Sequence, residues 1–194
     1  SRFYERTRFK ECIMKHDVPL ILGSQTIGPF ENEDAKKLAV KVIRQSLKVF
    51  ARDEVSQKYA EKISGRKIIL TTDVAFALPY SKVQFSSKKI KIGFNPSGLL
   101  WHGGYSGDNQ FGLTVDYKEY CRKVLDYLTK DDRYEVHLIL HSFEDNNTNI
   151  ADNDLVPAKI LHEEYKKTVL SPLFDSCIDA KNYIAGMDIL IGAR

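Results

Sequence analysis

Met187-Asp188-Ile189-Leu190-Ile191-Gly192-Ala193-Arg194 closes the sequence with a short apolar run, a glycine and an arginine. An apolar run of this length, bounded by turn residues, reads as a buried strand of a parallel sheet. Ligands of open α/β sheets sit outside the carboxyl ends of such strands. Arg194 therefore stands either where an anion binds or on an ordinary surface loop. Working outward, Ser176 and Asp179 form a capping box for a helix over 177–187, and Thr168-Val169-Leu170 precedes it as a short strand. Asp154 caps a helix that tolerates Pro157 in its first turn, after an Asp- and Asn-rich loop over 144–154. Val136-His137-Leu138-Ile139-Leu140 is a further strand ending in His141-Ser142. His137 alternates into a sheet face as a packed core histidine, whereas His141 stands at the ligand edge.

Tyr117, Tyr120, Cys121, Val124, Leu125 and Leu128 recur at helical spacing behind Asp116 as cap. Residues 99–111, with Trp101, His102 and several glycines, lack a period and read as a binding loop or plain surface. Ile90-Lys91-Ile92-Gly93-Phe94 opens this half of the chain as a strand, and Asn95-Pro96-Ser97-Gly98 follows its end. Strand and helix alternate throughout, which implies a parallel sheet with right-handed crossovers.

The first half repeats the pattern. Residues 8–16 read as the tail of a helix, and Val18-Pro19-Leu20-Ile21-Leu22 as a buried strand closed by Gly23. The loop Ser24-Gln25-Thr26-Ile27-Gly28-Pro29-Phe30 leads into a helix whose stripe is Ala35, Leu38, Ala39, Val42, Ile43 and Leu47. Lys48-Val49-Phe50-Ala51 is the next strand, and Asp53 caps a helix running to about Ile63 with Gly65 as its C′ residue. A third strand over 68–72 delivers Asp73. Gln25, Arg52 and Asp73 thus occupy equivalent positions at one edge, where Asp73 is either a site residue or the cap of a turn. The fold class is α/β, two Rossmann-like domains with parallel sheets: 1–80, a linker at 81–89, and 90–194. The start at Ser1-Arg2-Phe3 and the end at Arg194 lead to the expectation of a fragment lacking N- and C-terminal parts.

Composition excludes several classes. With 43% hydrophobic and 28% charged residues the chain is that of a soluble globular protein, and no apolar run approaches the roughly 20 residues of a membrane helix. Twenty-nine basic against 26 acidic side chains leave a charge of +3 without a basic arm, so nucleic acid is not an expected partner. Cys12, Cys121 and Cys177 match no zinc or redox spacing and read as reduced core thiols of a cytoplasmic protein. GxGxxG, Walker A, GxSxG and HExxH motifs are absent, as is any metal-ligand cluster. What remains is anion chemistry, with Arg52 and Arg194 at the ligand edges of the two halves and guanidinium forks suited to carboxylate and phosphate.

Gln25-Thr26-Ile27-Gly28-Pro29-Phe30, Phe50-Ala51-Arg52-Asp53-Glu54-Val55-Ser56, Thr72-Asp73-Val74-Ala75-Phe76 and Asp188-Ile189-Leu190-Ile191-Gly192-Ala193-Arg194 resemble, in order, the successive motifs of the polysaccharide pyruvyl transferase family. The resemblance implies a GT-B-like architecture and the transfer of pyruvate from phosphoenolpyruvate to a saccharide as a ketal during cell-surface polysaccharide synthesis. No cofactor is implied beyond phosphoenolpyruvate as donor substrate, and the setting is the cytoplasm, at the inner face of the membrane. Carried over by motif, Arg52 and Arg194 are the donor-binding pair. The family's catalytic histidine would follow Arg194, so His141 is the candidate within this sequence. Gln25 and Asp73 join the substrate edge, and Asn95, Ser97 and Gly98 are the expected acceptor contacts from strand-edge geometry. Two alternatives stay open: a GT-B-type glycosyltransferase or epimerase using a nucleotide sugar, and a non-catalytic sugar- or anion-binding α/β protein.

Overall fold

Among the described residues every strand pair is parallel, because the strands of each sheet are joined by crossovers long enough to carry the chain back to the same end. The computed structural model describes residues 2–145 and 151–193. They fall into two units, Ser1–Leu78 and Pro79–Arg194.

The first unit runs α1 (Arg2–Lys15), β1 (Ile21–Gln25), α2 (Glu33–Gln45), β2 (Lys48–Ala51), α3 (Glu54–Ser64), β3 (Ile69–Leu70) and a 3₁₀ turn (Val74–Ala77), with sheet order β1-β2-β3. Leu22, Ile27, Val42, Ile43, Val49, Ala51, Ala60 and Ile68 form its core. Asn32 caps α2 through hydrogen bonds from Asp34 N and Ala35 N, and Asp53 caps α3 by accepting from Ser56 N. Gly65, at φ 67°, closes α3 in the left-handed region that glycine enters without steric cost. The helix whose tail the sequence places over 8–16 runs from Arg2 to Lys15. Two expectations differ from the structure. Strand β1 lies three residues later than expected and passes through Gly23, since Pro19 has no N–H for a ladder. Leu47 lies beyond the end of α2 and is exposed.

The second unit runs β4 (Ile90–Asn95), α4 (Gly98–Trp101), α5 (Tyr117–Leu128), β5 (Tyr134–Leu138), α6 (Leu155–Glu164), β6 (Val169–Leu170), α7 (Cys177–Ala185) and β7 (Ile189–Gly192), in sheet order β6-β5-β4-β7. Its core gathers Ile92 and Phe94 of β4 with Leu125 of α5, Leu138 of β5 and Leu161 of α6. Burial of each such side chain contributes roughly 2 kcal/mol. The closing strand is an edge strand rather than a buried one, with Ile189 48% and Leu190 49% exposed. Within the aperiodic stretch 99–111 the structure places the helical turn α4, capped by Ser97. Of the loop read over 144–154, residues 146–150 lie outside the described residues.

Residues 81–85 of the stretch read as a linker lie against α7. Ser81 N donates to Asn182 Oδ1 at 2.7 Å, Val83 N donates to Asn182 O at 3.2 Å, and the Phe85 ring packs on His137 and Tyr183. His137 is a core histidine, 2% exposed, between Tyr183 Oη at 2.7 Å and Glu135 Oε1 at 3.0 Å. Only Cys121 is a core thiol, and burial pushes its pKa up to about 11; Cys12 and Cys177 are exposed. Among the described residues no helix is long and apolar enough to cross a membrane.

Candidate active site

The carboxyl edge of the first sheet carries Gln25 at the end of β1, Arg52 directly after β2 and Asp73 after β3. Parallel register brings them together, with Gln25 opposite Ala51 and Arg52 N donating to Gln25 O at 3.2 Å. Arg52 Nη1 donates to Asp73 Oδ2 at 2.7 Å, both side chains being partly open to solvent. Asp73 also caps the 3₁₀ turn, since its Oδ1 accepts from Ala75 N at 3.0 Å. That backbone hydrogen bond, with the Arg52 guanidinium second, holds its carboxyl below the ordinary value. Asp73 is thus a turn cap and an anchor for Arg52 at once. A guanidinium carries five donors and Asp73 takes one bond from it, so others remain for an anion.

The preceding loop is fixed from α3. Ser56 Oγ accepts from Ile27 N at 3.0 Å and donates to Asp53 Oδ2 at 3.0 Å, and Tyr59 Oη accepts from Phe30 N at 3.0 Å. The sequence signal for Ser56 is its place three residues after the Asp53 cap. Nothing local marks Tyr59.

In the second unit Asn95, Gly98 and His141 do come together around a residue that reads in the sequence as a helix cap, while Ser97 N donates to Tyr117 Oη at 3.0 Å. Asp154 has helical φ and ψ and makes no capping bond with its side chain. Its carboxylate is fully buried and turned inward. Oδ2 accepts from Asn95 Nδ2 at 2.9 Å, His141 N at 3.0 Å and Ser142 N at 3.1 Å, and Oδ1 accepts from Gly98 N at 2.7 Å. A buried carboxylate persists only with such donors around it. The same packing forbids a side chain at Gly98, where a Cβ would lie 2.3 Å from Asn153 O. Asn95 and Ser97 are 4% and 1% exposed, so the strand-edge residues expected to reach an acceptor support the loop from inside. His141 alone of this group is exposed.

Strand order supplies a second locator. The chain steps from β4 to β5 to β6 and then returns to the far side of β4 as β7, a reversal of the kind beside which open sheets place ligands. Gly192 pairs with Asn95 there, and a recess of about 100 Å³ lies between Asn95, Tyr117, Tyr120, Ile191, Gly192 and Ala193. Asn95 Oδ1 is buried without a hydrogen-bond partner. Arg194, named from the sequence as the second donor-binding arginine, lies outside the described residues. Among the described residues no group of three or more His, Cys, Asp or Glu side chains could hold a metal ion.

A family model described as polysaccharide pyruvyl transferase matches residues 1–194. No curated protein and no solved structure matches the chain.

Proposed function

Because the chain belongs to the polysaccharide pyruvyl transferase family, we propose that it moves pyruvate from phosphoenolpyruvate to a saccharide diol as a ketal, on two Rossmann-like units of the GT-B kind. The observation that carries this reading is Arg52, which stands partly exposed at the carboxyl edge of β2 and is braced by Asp73. A braced guanidinium is preorganised for a carboxylate or phosphate and loses little freedom when it binds one.

In the proposed reaction a general acid protonates the donor's methylene carbon, which becomes the methyl group. One saccharide hydroxyl bonds to the adjacent carbon and gives up its proton, the phosphate leaves with its bonding electron pair, and the second hydroxyl closes the ring with loss of its proton. Arg52 and Arg194 receive the donor's charged groups, where cations offset the charge that develops on the departing phosphate. His141 is the exposed imidazole available for proton transfer, on a loop held by Asp154. Asn95, Ser97 and Gly98 keep the neighbouring loop in place for the acceptor, and Gln25 completes the donor edge.

The full-length protein, supplied with phosphoenolpyruvate and candidate saccharides, is expected to release inorganic phosphate. Arg52→Ala should lower donor affinity at least about tenfold, the loss of roughly one charge-assisted contact. The reading fails if phosphoenolpyruvate binds the unaltered protein no better than it binds Arg52→Ala or Arg194→Ala. Saturable sugar binding without phosphate release would mark a binding protein instead.

A further inference from the structure

Gly186, the residue after α7, has φ −81° and ψ −9°, a right-handed conformation that does not call for glycine. Thr129 holds the same conformation after α5, at φ −80° and ψ −9°. The surroundings of Gly186 do call for it: a Cβ there would lie 2.6 Å from Val83 O and 2.7 Å from the Phe85 ring. Both neighbours belong to the stretch whose composition reads as a linker. That stretch is tied to α7 at Asn182, through Ser81 N and Val83 N, and the Lys181 ammonium stands 5.2 Å from the centre of the Tyr80 ring. Because α7 has no buried residue of its own, this docking supplies cover that the helix otherwise lacks.

Polar side chains gather beneath the Phe85 ring. Lys91 of β4 is 4% exposed; its Nζ donates to Ser87 O at 2.6 Å and to Lys89 O at 2.5 Å, and lies 4.0 Å from Glu135 Oε1. Glu135 Oε1 is 3.0 Å from His137 Nε2, and His137 Nδ1 is 2.7 Å from Tyr183 Oη. Exposed Asp188 accepts Lys91 N from outside the group at 2.7 Å. Glu135 is ionised at neutral pH, so Nε2 carries the imidazole proton and donates to it. Burial pushes Tyr183 up to about 12, so its hydroxyl keeps its proton and donates to Nδ1.

We infer that residues 81–87 are a strap latched onto the second unit over the Lys91, Glu135, His137 and Tyr183 group, and that acid releases it. A proton on His137 Nδ1 takes the acceptor from the Tyr183 hydroxyl. It also sets a second cation beside Lys91, with the one carboxylate of Glu135 to offset both. A charge held in an apolar surrounding without a partner of its own is unfavourable, and lifting the Phe85 ring lets water reach it. Burial already lowers the pKa of His137 below the ordinary 6.5, against the hydrogen bond and charge of Glu135. The docked strap therefore disfavours the proton that the released one accepts. Docking is in place at neutral pH and weakens as the pH falls below about 6.5. Docked, the strap is part of the second unit; released, it becomes the flexible polar segment that its composition suggests. Neither state depends on the transfer reaction.

Hydrogen exchange of the full-length protein, read as protection relative to the unstructured rate at each pH, tests the latch. The Ser81 and Val83 amides report on the strap, and the Ile139 amide, bonded to Phe94 O at 2.8 Å, reports on the sheet. From about pH 7.5 to about pH 5.0, protection at Ser81 and Val83 should fall at least about threefold. Dilute urea should leave their exchange unchanged, because lifting a strap exposes little surface, while speeding exchange at Ile139. His137→Gln, whose amide offers a donor to Glu135 and an acceptor to Tyr183, should keep the strap protected across the same range. Gly186→Ala should strip that protection at neutral pH, although alanine is the better helix former. Strap protection that does not change in acid overturns the inference, as does a strap that responds to urea in step with Ile139 and so opens only when the unit unfolds. Acid release that persists in His137→Gln, or full strap protection in Gly186→Ala, overturns it equally. The acid and urea series on the unaltered protein decides the matter even where a variant fails to fold.

Discussion

Four N–H donors converge on the Asp154 carboxylate, from the last residue of β4, the loop after it and the loop after β5. An asparagine fills the same volume but cannot satisfy them. With its oxygen toward Asn95, His141 and Ser142, its NH₂ faces the Gly98 N–H; reversed, three donors lose their acceptor. Hydrogen bonds to a charged group each contribute about 1.5 to 3 kcal/mol, and an orphaned buried donor costs a similar amount. Asp154→Asn should therefore lower unfolding stability by about 3 kcal/mol. A urea midpoint unchanged from that of the unaltered chain would show that the four bonds contribute nothing. Asp154 was not legible as a tie in the sequence, because an aspartate ahead of a helix reads first as a cap and its partner Asn95 is 59 positions away. Arg52 was legible for the opposite reason: a strand end is a local signal, and the ligand edge follows from it.

At the scale of elements, the loop 25–30 keeps its course through α3. Ser56 is 2% exposed, and its hydroxyl bridges Ile27 N and the Asp53 carboxylate. Ser56→Ala leaves the buried Ile27 N–H without an acceptor, for a loss of about 2 kcal/mol. Hydrogen exchange at the Ile27 amide should speed up at the same time. Exchange as slow as in the unaltered chain would mean that another acceptor takes over and that the loop does not depend on α3. Elements with both a cap and an apolar stripe were read close to their true bounds, namely α2, α3 and α5, and β2 was read in full. Only the tail of α1 is legible in the sequence, because its apolar residues do not gather on one face; Phe9, for example, is 68% exposed. Strand β5 was placed two residues late, since the apolar run continues through Ile139 and Leu140, which are buried past the strand's end. Apolar runs report burial, and burial outlasts the hydrogen-bonded ladder.

For the whole chain, the pH dependence of stability follows from two histidines of the second unit, His137 buried and His102 half-buried. Burial is the first cause that lowers the pKa of both His102 and His137 below the ordinary 6.5, with Lys118 adding to it for His102. Around His137 stand Glu135, whose hydrogen bond and charge act in the opposite sense, Lys91, Tyr183 and the Phe85 ring. Glu135 is itself pushed up by burial, yet hydrogen bonds from Ser87 and His137 bring it net below its ordinary 4.5. A histidine with a depressed folded value binds its proton more readily once unfolded. Stability therefore rises with pH across the interval between the two values, and acidification through about pH 6.5 removes it. The carboxylates act lower on the scale. Asp131, held by Arg133 at about 2, and Asp73, held by Ala75 N and Arg52, stay ionised in the folded chain well below the histidine interval. Between roughly pH 6.5 and 4.5 the histidines should thus govern the slope. Urea unfolding across that range should show falling stability, and His137→Gln, which removes one of the two histidines that bind a proton more readily once unfolded, should flatten the slope even if it lowers the plateau near neutral pH. A His137→Gln slope equal to that of the unaltered chain would mean that Glu135 compensates for burial in full and that His137 charges as readily in the folded protein as in the unfolded one.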